Sequence, residues 1–148
     1  MEKRSIVYRD MALADYAGVL ALMCRSPGVS LRDADSLAAI ALFLERNPGL
    51  SAVAVCEGAV VGCLMAGHDG RRGYLHHLVV DASFRRQGIG KTLVLRCLHA
   101  LGELGIRKTH VDVFRSNAGG KAFWAAEGWL LRDDIDRFSI ICGGGENA

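Results

Sequence analysis

The sequence predicts an α/β (α+β) domain: a mixed, mostly antiparallel sheet of about six to seven strands flanked by about four helices. Three observations predict it. Ser51 to Val80 reads as three strands joined by two tight turns, and a meander of that kind is antiparallel. The third of these strands, ending at Val80, leads through a glycine turn into a strongly helical run, Ile89 to Leu104, and then a further strand, Thr109 to Phe114. A strand–helix–strand crossover of that kind makes one parallel contact. Helical patterns also precede the meander and follow the crossover strand. Strands and helices therefore do not alternate throughout, as a doubly wound nucleotide fold requires.

The elements follow in order. Ile6 to Arg9 is a short first strand. Asp10 to Arg25 has apolar residues at Leu13, Tyr16, Val19, Leu20 and Met23, a helical spacing, and Ser26-Pro27-Gly28 ends it. A second helix starts near Asp35 or Ser36, either of which can cap it, with Leu37, Ile40, Ala41 and Leu44 toward the core. Asn47-Pro48-Gly49 closes it. Ser51 to Cys56 and Ala59 to Gly67 flank the hairpin turn Glu57-Gly58. After the turn Asp69 to Gly73, Tyr74 to Val80 is the third strand. In the helix Ile89 to Leu104, Leu93, Val94, Cys97, Leu98 and Leu101 form one stripe, and Gly105 stops it. Thr109 to Phe114 alternates Val111 and Val113 against His110 and Asp112. Asn117 to Glu127 is a short helix with Ala122, Phe123 and Ala126 inward. Trp129 to Leu131 and Phe138 to Ile141 read as a final strand pair around the acidic loop Asp133, Asp134 and Asp136.

Bulk properties narrow the function. At 148 residues the chain reads as one domain, residues 1–142, with a flexible tail at 143–148. A net charge of +2 gives no argument for nucleic acid or an anionic membrane. No apolar run approaches a membrane span and no signal-peptide core follows Met1, so a cytoplasmic protein is expected. Cys24, Cys56, Cys63, Cys97 and Cys142 are odd in number, lie in apolar runs and include no Cys-x-x-Cys pair, which predicts buried free thiols. No His/Cys spacing fits a metal, and none is expected.

The chemistry centres on Arg85-Arg86-Gln87-Gly88-Ile89-Gly90-Lys91, between the strand ending at Val80 and the long helix. Two glycines one residue apart permit a sharp turn and close backbone approach by a ligand. The first helical turn offers unpaired N–H groups and the positive end of the helix dipole, an arrangement that binds phosphate. Arg85, Arg86 and Lys91 add charge. A plain strand-to-helix connection would use the same glycines. A Rossmann fingerprint fails because Leu93 stands at its third glycine, and a P-loop fails because Arg85 stands at its first. A nucleotide hydrolase would rest on Gly90-Lys91-Thr92 alone and need a Mg²⁺-holding acid as well.

The pattern Arg/Gln-x-x-Gly-x-Gly/Ala is filled by Arg85, Gly88 and Gly90. It resembles the acetyl-coenzyme-A pyrophosphate loop of the GCN5-related N-acetyltransferases (GNAT family). Val113 to Asn117, followed by Phe123-Trp124-Ala125-Ala126-Glu127-Gly128-Trp129, resembles that family's second signature, and the element order resembles its fold along nearly the whole chain. The resemblance implies the GNAT acyl-CoA N-acyltransferase fold and transfer of acetyl from acetyl-CoA to a primary amine, of a small molecule or a protein, by direct attack in a ternary complex. It implies that Leu78, Val79 and Val80 pair with pantetheine like an added strand, and that backbone N–H groups from Arg86 through Gln87, Gly88, Ile89 and Gly90 to Lys91 hold the pyrophosphate. Asn117 would bond the pantetheine arm, and Lys121 could reach a phosphate or stay solvated. A backbone N–H near Val80 would stabilise the oxyanion. The first two helices and the final strand pair would frame the acceptor pocket, with Arg25, Arg32, Asp33 and Asp35 on one side and the acidic loop on the other.

Where the family often carries an acid on the third meander strand, this chain has His76 and His77, either suited to take a proton with a pKa near ~6.5. Strand alternation lets at most one of them line the cleft, and His76 is preferred. Trp124 stands where the family usually has a Tyr that protonates the leaving thiolate. An indole N–H cannot act as an acid near neutral pH, but an alkyl thiolate, its conjugate acid near ~8.5, leaves without much help. The alternative function is a non-catalytic acetyl-CoA-binding regulatory module of the same fold. Dimers are frequent among similar proteins, so a homodimer is open.

Overall fold

The computed structural model describes residues 4–148. Five strands form one sheet in the order β1-β2-β3-β4-β5: β1 Val7–Asp10, β2 Ala52–Cys56, β3 Ala59–His68, β4 Gly73–Val80 and β5 Thr109–Val111. β1 to β4 pair antiparallel, and β4 pairs with β5 in parallel. Four helices complete the fold: α1 Tyr16–Cys24, α2 Leu37–Arg46, α3 Ile89–Glu103 and α4 Ala118–Ala126.

The strand count corrects the expected six to seven. The predicted pair Trp129–Leu131 and Phe138–Ile141 does not form, and residues 129–142 run without regular structure. Leu130, Phe138 and Ile140 stand 89%, 93% and 86% exposed. A strand needs a partner ladder as well as an apolar pattern. β5 ends at Val111, and the next residue, Asp112, takes an ion pair from Arg137 at 3.0 Å instead of a strand. The last residues fold back across the molecule, where Asn147 O accepts from Asp33 N at 2.7 Å and Glu146 O accepts from Arg32 Nη1 at 3.2 Å.

Helices cover both faces of the sheet. On one face, Val19, Leu22 and Met23 of α1 and Ile40 of α2 pack on Val53, Cys63, Met65 and Val79. On the other, Ile89, Leu93, Val94, Cys97 and Leu101 of α3 and Trp124 of α4 pack on Ala52, Ala54, Leu64 and Leu75. Burying each large side chain of this kind contributes about 1.5–3 kcal/mol. The α3 stripe is the predicted one except that Leu98 is only partly buried. In α1 Leu22 is buried where the spacing picks Leu20, and in α2 Leu37 is 52% exposed.

Local chemistry sets the boundaries. α1 starts at Tyr16 rather than Asp10 because Asp15 accepts Ala12 N at 2.8 Å and Arg9 Nη1 and Nη2 at 2.7 Å. These bonds fold Leu13–Asp15 into a 3-10 turn. Ser36 caps α2 by accepting Ala39 N, leaving Asp35 for another task. Asn47 closes α2, donating to Phe43 O and accepting from His68 N. Among the described residues, no helix is long and apolar enough to cross a membrane.

Candidate functional site

β4 and β5 hold together only from Gly73↔Thr109 to Leu75↔Val111. Beyond that pair they part, and the β5-facing edge of His76 to Val80 has no partner strand among the described residues. Leu78, Val79 and Val80, the predicted pantetheine-binding residues, lie on this open edge. An unpaired edge bordering a gap can accept an extended ligand as an added strand.

β4 carries one residue more than β3 between Cys63↔Val79 and Met65↔His76. This bulge places His77 at φ +54. Left-handed backbone is uncommon outside glycine, and His is among the few side chains enriched there. The bulge breaks the expected alternation. His76 meets Phe43 of α2 edge-on with ring centroids 5.9 Å apart, and His77 Nε2 lies 2.8 Å from Asp35 Oδ1 in the 3-10 turn Asp33–Asp35. Both imidazoles therefore face residues on the α1–α2 side, so the rule that admits only one of them to the cleft does not apply. His76 is displaced below the usual imidazole range, first by desolvation and then by the neighbouring His77. The residue nonetheless keeps an exposed face, and water there tempers the displacement.

After β4, Ala82–Phe84 makes a 3-10 turn and buries Phe84. The chain then turns through Arg86 at φ +61 and Gly88 at φ +78 into α3. Ile89, 2% exposed, anchors the loop in the core. Arg85, Arg86, Gln87 and Lys91 are exposed, and none of the three cations has an ion-pair partner among the described residues. The first backbone N–H returned to the chain is that of Thr92, to Gly88 O at 3.0 Å. The N–H groups of Arg86 to Lys91 have no acceptor among the described residues. The glycines have different roles. A Cβ on Gly88 would meet nothing within 4 Å, so its surroundings are open space. A Cβ on Gly90 would stand 3.3 Å from Phe123 Cε2 and 3.8 Å from Val80 Cγ2, so Gly90 lets α3, α4 and β4 converge.

Asn117 caps α4 with Oδ1, which accepts Gly120 N at 2.8 Å. Its amide nitrogen has no partner among the described residues. Lys121 is exposed one turn on. Trp124 is 8% exposed and packs edge-on against Phe123 at 5.1 Å and Trp129 at 4.7 Å. Cys56, Cys63 and Cys97 are buried free thiols, as expected, but Cys24 and Cys142 are exposed. Burial pushes Cys63 and Cys97 up to about 12, so neither supplies a thiolate. Among the described residues, no group of three or more His, Cys, Asp or Glu side chains could hold a metal. Sequence reasoning sets Asp35 among the residues framing the acceptor pocket but misses its bond to His77. The one local hint is an acid beside a serine that suffices as the cap.

An edge open for pantetheine, a row of free N–H groups and three unpaired cations fit the donor set that a pantetheine pyrophosphate needs. The acetyltransferase (GNAT) family matches residues 18–129. An acetyltransferase from Pectobacterium atrosepticum is 38% identical over 74 residues, which is 50% of this chain and 52% of that protein, so the match spans about half of each. PaiA N-acetyltransferase from Thermoplasma acidophilum, solved with coenzyme A, superposes with a TM-score of 0.79 at 20% identity, covering 88% of this chain and 93% of that one. The aminoglycoside N-acetyltransferase AAC(6')-Iy, solved with CoA, gives 0.75 at 19% identity over 95% and 98%. At such identities these two likenesses show the fold.

Proposed function

We propose that this chain, which belongs to the acetyltransferase (GNAT) family, moves the acetyl group of acetyl-CoA to a primary amine. The observation that carries this reading is the juxtaposition of two unsatisfied backbone rows. The β5-facing edge of β4 is unpaired beyond Leu75 among the described residues, and the loop that follows it presents the N–H groups of Arg86 to Lys91 without acceptors. N–H groups at a helix N-terminus and along an open strand edge are left for water or a ligand, and these two rows are adjacent in the chain.

Acetyl-CoA supplies the activated acyl group as a thioester. The chain's residues divide the remaining work. Arg86, Gln87, Gly88, Ile89, Gly90 and Lys91 hold the pyrophosphate through main-chain N–H groups, with the Arg85, Arg86 and Lys91 side chains neutralising its charge. Leu78, Val79 and Val80 align pantetheine along the edge, and Asn117 Nδ2 is free to bond it. Lys121 adds a cation at the exposed side of α4. His76 and His77 lie at the start of the gap, where a base must take a proton from an ammonium before the neutral amine can attack. Trp124 packs in the aromatic core of α4, and a thiolate whose conjugate acid lies near ~8.5 departs without it.

Amine-dependent release of free CoA tests the proposal, with spermidine, kanamycin and a short peptide with a free N-terminus as acceptors. Release with at least one of them, absent without amine, is expected. Tight acetyl-CoA binding with no release would favour the second reading, a non-catalytic acetyl-CoA-binding module. Trp124 in place of the expected Tyr is the feature that favours it.

A further inference from the structure

We infer that Asp35 is the positioning residue for the base of this reaction: its carboxylate holds His77 as the Nε2–H tautomer and leaves Nδ1 to take the proton from the amine. This rests on the acetyl-transfer reading above and says which group performs its proton step.

The geometry supports it from both ends of the pair. An ionised carboxylate only accepts hydrogen bonds, so the His77 ring nitrogen at 2.8 Å from Asp35 Oδ1 must carry the hydrogen. The other oxygen, Oδ2, accepts Arg32 N at 2.9 Å, and Tyr16 Oη donates to the Asp35 carbonyl at 2.8 Å. Three bonds therefore fix this buried residue. His77 Nδ1 has no partner among the described residues, and the ring keeps 21% of its surface open. The strand bulge and the left-handed φ of +54 turn this ring onto Asp35 just beyond the last β4–β5 pair, where the open edge begins. A residue held in unusual backbone beside a candidate site is where stored strain tends to serve function. His76 has no hydrogen-bond partner among the described residues, only the Phe43 edge contact, with Asp112 and Arg137 as charges acting on it from beyond the open edge. A base needs both a free lone pair and a partner that stabilises the imidazolium, and of the two rings only His77 combines an unpartnered nitrogen with a carboxylate at the other.

The step balances simply. The ammonium proton passes to His77 Nδ1, giving an imidazolium opposite Asp35 and a neutral amine. The amine's C–N bond to the acetyl carbon forms, the thioester C–S bond breaks, and CoA leaves as a thiolate. The second amine proton goes to that thiolate, and His77 returns its own to water.

Asp35→Asn discriminates. Arg32 N–H and His77 both approach the carboxylate as donors, and an amide can accept from only one side. The backbone N–H cannot change, but the ring can. The substituted amide would therefore turn its NH₂ to Nε2 and drive the hydrogen to Nδ1. Long-range ¹H–¹⁵N correlation on the imidazoles of the full chain near ~pH 8.5, above the usual imidazole range, reads the tautomer directly. Wild type should show Nε2–H at His77 and D35N should show Nδ1–H. With acetyl-CoA and the fastest of spermidine, kanamycin or a free-N-terminus peptide, D35N should lower kcat about 100-fold with KM for acetyl-CoA within about twofold. His77→Gln should cost as much, and the double variant no more than H77Q alone, because Asp35 acts only through His77.

A wild-type Nδ1–H tautomer overturns the inference and needs no variant to fold. So does a D35N kcat within about threefold of wild type, or a double variant whose losses multiply. Failure of the acetyl-transfer reading looks different: wild type would release no CoA with any of the three amines, whether or not it binds acetyl-CoA, and the dyad's role would fall with it whatever the tautomer.

Discussion

Substituting Gly88 by Ala separates what the glycine does for the fold from what it does for the ligand. Gly88 sits at φ +78, where an L side chain costs about 1–2 kcal/mol. The added Cβ meets no protein atom within 4 Å, so there is no clash to add. In a domain of this size that loss lowers Tm by about 2–8 °C and leaves the protein folded. The same Cβ is added within the row of free N–H groups proposed to hold the pyrophosphate. Losing one charge-assisted bond to a phosphate there, about 1.5–3 kcal/mol, weakens acetyl-CoA about 10- to 150-fold. Gly90→Ala is the internal control. Its Cβ pushes the Phe123 ring by a few tenths of an ångström from 3.3 Å, and the helical gain of Ala over Gly, about 1 kcal/mol, offsets that. Tm should then stay within about 2 °C of wild type. Calorimetric titration and thermal melts of both variants measure the two quantities. A folded G88A protein that binds acetyl-CoA as tightly as wild type would refute the assignment of this loop to the pyrophosphate.

Thiol accessibility follows burial: with a disulfide reagent, only Cys24 and Cys142 of the five cysteines should react quickly in native protein, and all five in denaturant. Equal rates for all five would mean that the two cores around Cys63 and Cys97 are not closed. Acid stability should report Asp15, whose carboxyl is held below its ordinary range by the Arg9 guanidinium and, secondarily, by the Ala12 N–H. A depressed folded pKa stabilises at pH above the unfolded value and loses that stabilisation as pH falls through the folded one. Asp15→Asn should therefore cost about 1–2 kcal/mol at neutral pH, Arg9 being half in solvent, with the gap to wild type closing below about pH 4 in urea melts. A gap that stays constant down to pH 2 would remove Asp15 from the acid response.

The helices and central strands are legible in the sequence because their signals are local. The Leu93–Val94–Cys97–Leu101 stripe, the Glu57-Gly58 turn and the Gly88–Gly90 break each encode their own geometry within a few residues. The final strand pair misleads for the opposite reason. Leu130, Leu131, Phe138, Ile140 and Ile141 have strand composition, but pairing depends on an edge far away in sequence, and β5 stops at Val111. The site divides in the same way. The loop proposed to bind phosphate is a contiguous motif and its residues lie together. The Asp35–His77 contact joins positions 42 apart through a one-residue bulge that no periodicity announces. The alternation rule, applied to His76 and His77 as an unbroken strand, assigns them opposite faces. The extra residue on β4 turns both toward α2 and the turn before it.

On the proposed function, the open β4 edge and the N–H row of Arg86 to Lys91 form an acetyl-CoA site. Isothermal titration of the full chain with acetyl-CoA, with ATP and NADH as controls, tests it most directly. Saturable binding of acetyl-CoA, with neither control binding comparably, is the predicted result. No heat from acetyl-CoA in protein that melts cooperatively would contradict the account at its root.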